Sequence, residues 1–244
     1  MVNRVYPIVV AAIGGCILLT GCATPGPMHV YSVAEPAASV VRDSSDGPAA
    51  EVPSFLERDD ILTGFAYDPF TDHFFLRLKP GNKIRVVDRP ARDIKREFTI
   101  DDLRTGGDLA IRPRDGHVFF LETTPLRIVE TTRLGKKVHE FELESVVAAK
   151  GIALDPAANK LAILHADGRR ISFHTVEGKQ LNAITLAREV AGSLALDAER
   201  SELHAPAASD GRLLVFDLKG QLLRESSQHG QFVDVGARSF VRVF

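Results

Sequence analysis

Residues 151–164 read GIALDPAANKLAIL, and three other stretches repeat the layout: GFAYDPFTDHFFLRL from Gly64, DLAIRPRDGHVFFL from Asp108 and SLALDAERSELHA from Ser193. Anchored on Asp68, Arg112, Asp155 and Asp197, the copies follow one another at intervals of 44, 43 and 42 residues. Two places before each anchor stands an alanine (Ala66, Ala110, Ala153, Ala195) between apolar neighbours. That pattern is a short strand covered on both faces. A second apolar strand follows at 74–76, 118–121 and 161–164, and a third at 84–87, 127–129, 171–173 and 213–216. A fourth, more polar strand closes each copy: IKREFTI, VHEFEL, LNAIT and LLRES.

Four short strands recurring about every 40 residues predict an all-β chain, a β-propeller of four-stranded blades. The alanine column has a physical reason there, because innermost strands converge toward an axis and a large side chain would meet the next blade. Asp-Pro at 68 and 155, Asp-Gly at 115, 167 and 210, and glycines 135, 178 and 220 supply the turns. A helix is excluded, since breakers every five or six residues leave no run with a 3.6-residue period. The repeat phrase, from 64 to about 226, resembles the NHL and YVTN propeller repeats, and the resemblance implies a fold more than an activity. Nineteen glycines, thirteen prolines and no tryptophan suit such a protein and exclude the tryptophan-marked propeller repeats.

Four copies leave the ring open. FVDVGARSFVRVF from Phe232 reads as the first two strands of a further blade, and SVVRDSSDGPAAEVPSF from Ser39 fits strands three and four, with Gly47 in the glycine column. The expectation is five blades, the last closed by hairpins from both ends of the chain, which removes two exposed edges. The competing expectation makes residues 23–55 a tether rich in Ala, Ser, Pro and Asp.

The beginning of the sequence reads as an address. Arg4 precedes an apolar run from Pro7 to Leu19, shorter than a bilayer span, and Leu19-Thr20-Gly21-Cys22 follows. The tetrad resembles the lipobox of bacterial lipoproteins. That resemblance implies a signal peptide over 1–21, an acylated Cys22, a tether over 22–38 and the propeller over 39–244. Acyl chains on Cys22 would anchor the chain to a membrane, since each buried CH₂ contributes about 0.8 kcal/mol. With Cys16 in the removed segment, no thiol remains for a disulfide or thiolate metal site. Ala23 and Thr24 lack the aspartate of an inner-membrane retention signal, so the expected home is the periplasmic face of the outer membrane.

A net charge of −2 over 244 residues gives no reason to expect nucleic acid as a partner. No phosphate-cradling glycine loop or Gly-x-Ser-x-Gly elbow is present, and His139-Glu140 lacks the second histidine of a zinc protease. The histidines are scattered, and the anchoring aspartates suit Asx turns; no metal, cofactor or catalytic residue is expected. One column invites a ligand: Lys83, Arg127, Arg170 and Arg212 all stand just before the third strand. Such a basic ring would attract an anionic ligand, and its competing explanation is solvated strand-end charge. The expected function is non-catalytic binding or scaffolding of an envelope protein, peptide or glycan. The alternative is a lactonase-like hydrolase or lyase with an axial metal.

Overall fold

The computed structural model describes residues 28–33, 41–43 and 55–237, and every regular element among them is a β-strand. Strands β1 (Met28–Val33) and β2 (Val41–Asp43) come first. Blade one holds β3 (Ile61–Asp68), β4 (His73–Lys79), β5 (Lys83–Asp88) and β6 (Ile94–Thr99). Blade two holds β7 (Leu109–Arg112), β8 (His117–Thr123), β9 (Leu126–Thr131) and β10 (Lys137–Phe141). Blade three holds β11 (Ala149–Asp155), β12 (Lys160–His165), β13 (Arg170–Thr175) and β14 (Gln180–Thr185). Blade four holds β15 (Ala195–Asp197), β16 (Glu202–Pro206), β17 (Arg212–Asp217) and β18 (Leu222–His229), and β19 (Phe232–Ala237) ends the described chain. Within each blade the strands run antiparallel in sequence order.

The molecule is a β-propeller. The first strands touch in a closed circuit, β3 to β7 to β11 to β15 to β19 and back to β3. An apolar cluster fills each junction between neighbouring sheets: Phe75 and Phe120 between blades one and two, Leu121 and Ile163 between two and three, Leu164 and Phe216 between three and four. The alanines lie on the side of each first strand that meets the next sheet, and all four are buried. Middle strands such as β8 are buried along their length, whereas outer strands such as β6 and β10 are largely exposed and carry charged side chains. Those charges discourage pairing of the exposed edges with other chains.

The described residues complete four blades rather than the five expected, and a three-stranded sheet, β19-β1-β2, stands in the remaining gap. Both ends of the chain do build it, in a different division. The strand beside β19 is β1, paired from Met28↔Ala237 to Val33↔Phe232. Thus residues 28–33, assigned above to the tether, form a strand, and the proposed domain start at 39 falls too late. Its side chains explain why: Tyr31 packs 4.5 Å from the Tyr67 ring and 5.1 Å from Phe74, and Val33 joins the same cluster. Burying one such side chain contributes on the order of 2 kcal/mol. The signal segment, Cys22, Gly47 and the proposed second strand after Ala237 lie outside the described residues.

Candidate functional site

The basic column begins the third strands, and most of it is already paired. Lys83 lies 2.8 Å from Asp60, which holds its ammonium above the ordinary lysine pKa. Arg127 donates to Glu140 (2.8 Å) and to the Asp102 carbonyl (2.8 Å), and Arg212 lies 3.3 Å from Asp210 and 3.6 Å from Glu225. The Arg170 side chain is exposed. Carboxylates from loops and outer strands therefore neutralise much of the charge that the sequence displays as a ring. The anchoring aspartates cap turns as expected: Asp155 accepts from the amides of Ala157 and Ala158, and Asp197 from those of Glu199 and Arg200.

A different set of polar groups gathers around the axis. A first strand is the inner edge of its sheet, so its backbone amides there need partners from outside the ladder. Asp108 supplies two of them, lying 3.4 Å from the Phe65 amide and 3.5 Å from the Ile152 amide, and so links β3, β7 and β11. Ser193 accepts from the Val233 amide (3.1 Å) and donates to its carbonyl (3.3 Å), joining blade four to β19. Asp234 accepts from the Tyr67 amide (2.7 Å) and from Val235 (2.8 Å), joining β19 to β3. Val233-Asp234-Val235 places an aspartate where the four blades place alanine.

Of these groups, Asp234 borders an axial cavity of about 400 Å³. All five first strands contribute to it, through Tyr67, Ile111, Leu154, Leu196 and Val235, with Pro69, Pro113 and Pro156 from the turns that follow. Its mouth therefore opens at the ends of the first strands, opposite the face that carries the basic column. Asp234 lines the cavity with part of its surface accessible, although protein encloses it. Removal from bulk water pushes its carboxyl up to about 7, against the pull of the two amides. Asp108 is fully buried, and desolvation holds it well above the usual carboxylate range, with the nearby Asp234 charge acting in the same direction.

A pH prediction follows from Asp234. Its folded pKa of about 7 lies above the ordinary 3.8, so the native chain keeps a proton that the unfolded chain has released. Its stabilisation is complete below about pH 4 and declines as pH rises through about 7. In urea melts, the stability difference between wild type and Asp234→Asn should therefore shift against the wild type over this window. A pH-independent difference would show that the carboxyl is ionised throughout.

Asp197, Glu202 and His204 also lie together, buried in blade four. Arg224 grips Glu202 at 2.6 and 2.7 Å, and Arg200 lies 3.4 Å from Asp197. A cation would have to displace Arg224, so the group is better described as an ionic clasp. Burial drives His204 down to about 4, leaving its ring neutral near neutral pH.

No family profile and no curated protein sequence matches the chain. Solved structures do. A chain of the nidogen/laminin complex superposes with a TM-score of 0.62 at 13% identity, covering 86% of this chain and 98% of that one. The glutaminyl cyclase of Myxococcus xanthus gives 0.54 at 14% identity, over 72% of this chain and 71% of that one. Likeness at such identities establishes the fold alone. One neighbour comes from a binding complex and the other is an enzyme, so function rests on this chain's own residues.

Sequence reading missed Asp234, Asp108 and the cavity. The signal was present, since Asp234 breaks the alanine column and Asp108 replaces the glycine found at Gly64 and Gly151. Their convergence appears only once the ring is closed.

Proposed function

We propose that the chain is a non-catalytic binding module of the bacterial cell envelope, fastened to the membrane through lipid on Cys22, that receives its partner at the axial cavity. The observation carrying this reading is an apolar cavity to which all five first strands contribute, with a volume inside the ordinary range for ligand sites. The resemblance to NHL and YVTN repeats and to a lipobox supports the envelope setting. Met28 stands at the mouth and is six residues from Cys22, a stretch reaching at most about 20 Å. On this reading the mouth opens close to the lipid surface, and a protein, peptide or glycan partner of the periplasmic face of the outer membrane meets it there. The second reading, a hydrolase or lyase with an axial metal, draws on the two enclosed carboxyls Asp108 and Asp234.

A photo-crosslinking residue in place of Ala198, at the cavity rim, tests the proposal in intact cells. The expected result is a discrete adduct in the membrane fraction, and release of the chain from that fraction in Cys22→Ser. A chain that gives no adduct but purifies with stoichiometric metal, lost in Asp234→Asn, would favour the enzyme instead.

A further inference from the structure

The lining of the axial cavity is selective in charge as well as apolar. Its charged residues are both acids, Asp234 inside and Glu199 exposed at the mouth, and among the described residues no lysine, arginine or histidine lines it. An anion entering there would leave water for an enclosed space shared with a carboxyl. A neutral apolar group would fill the volume but leave the remaining hydrogen-bonding capacity of Asp234 unused. Each carboxyl oxygen of Asp234 accepts one amide hydrogen, from Tyr67 and from Val235, and a carboxylate oxygen accepts about two. The open positions match an ammonium group, a compact charge with three donors.

We propose that the axial cavity binds an apolar ammonium ion, with its hydrocarbon against Tyr67, Ile111, Leu154 and Leu196 and its charged nitrogen on Asp234. This rests on the binding-module reading and names the chemistry of the ligand. Two sources share it: a free long-chain amine, and the amino terminus of a peptide that begins with apolar residues. The enclosed setting makes charge decisive, because a carboxylate and an ammonium brought together out of water attract far more strongly than at a surface. Tyr67 presents hydrocarbon there, since its hydroxyl is engaged by Asp72 (2.9 Å). The same pairing explains why an aspartate stands where four alanines set the rule. Hydrogen bonding to Tyr67 alone would be served by an asparagine, whereas a counter-charge would not.

Calorimetric titration of the purified chain with octylamine, 1-octanol and octanoate tests the assignment. Octylamine should bind about ten-fold or more tighter than octanol, with octanoate weakest, in keeping with measured energies of close, desolvated charge pairs. Asp234→Asn should remove the advantage of the amine over octanol. Titration with a leucine-rich tetrapeptide, amino-terminally free or acetylated, separates the two sources: preference for the free peptide over octylamine assigns a peptide terminus, and the reverse assigns a free amine. Octanol binding as tightly as octylamine, or an unaltered preference in folded Asp234→Asn, would overturn the proposal. So would the failure of every probe to bind, while the crosslinking experiment at Ala198 decides separately whether the cavity receives a partner. Should Asp234→Asn fail to fold, the ranking of the three probes on wild type decides alone.

Discussion

Replacing Glu122 with alanine should cost the propeller about 3–5 kcal/mol, a displacement of roughly 10 °C or more in melting temperature for a chain of this size. Arg77 and Glu122 form an ion pair between blades one and two, with side chains 1% and 0% exposed. The Arg77 guanidinium also donates to the carbonyls of Leu121 (2.8 Å), Gly107 (3.2 Å) and Thr105. Glu122 in turn accepts from the amides of Arg104 (2.8 Å) and Thr105 (3.0 Å), which fixes the loop entering blade two. Truncating Glu122 leaves a guanidinium in the interior with carbonyl dipoles alone and strips two amides of their acceptor. The joint replacement Arg77→Met with Glu122→Leu should be much milder, because no charge is left stranded. Urea unfolding monitored by circular dichroism measures both, and a loss below about 1 kcal/mol in Glu122→Ala would show that the pair is solvated.

The second large effect belongs to the glycine column. Gly178 lies at φ +92°, and a β-carbon there would sit 2.1 Å from the carbonyl oxygen of Glu142 in the preceding blade. Its own carbonyl accepts the Glu144 amide at 3.0 Å, so the turn is hydrogen-bonded to its neighbour as well as pressed against it. Gly220 repeats the arrangement against Thr185, at φ +86° with a clearance of 2.2 Å. Left-handed backbone costs a residue with a β-carbon about 1–3 kcal/mol, and overpacking adds about as much again. Gly178→Ala is therefore expected to cost about 3 kcal/mol or more. Gly81 provides the comparison, with nearly the same angle (φ +91°) but nothing within 4 Å of the added carbon. Gly81→Ala should lose only the backbone contribution, about 1 kcal/mol. Equal losses at the two positions would mean that the blades part easily at this contact.

These two cases also show what a sequence discloses about a propeller. The glycines at 135, 178 and 220 and the alanines at 66, 110, 153 and 195 stood out because repetition puts equivalent residues in equivalent places. Repetition says nothing about which groups neighbouring blades bring together. Arg77 reads as an ordinary polar residue in a strand, and Glu122 sits just over one repeat further on with no local sign of the pairing. The cationic column was likewise plain, but Asp60, Glu140 and Glu225, which neutralise much of it, come from a loop and two outer strands outside the column. Ring closure was half legible: β19 was recognised as a first strand, whereas MHVYSV was absorbed into a stretch classed by composition. Val30, Tyr31 and Val33, between prolines on either side, were the missed strand signal.

The pairing of Met28–Val33 with Phe232–Ala237 has a temporal consequence. Its partners are separated by about 200 residues, so their meeting carries a closure entropy that local hairpins escape. A chain made or exported from its first residue presents β1 long before β19 exists. Until then the blades form an open arc with two unsatisfied flanks, vulnerable to pairing with other chains. Completion of the circle thus has to wait for β19, and the cavity comes into being only then.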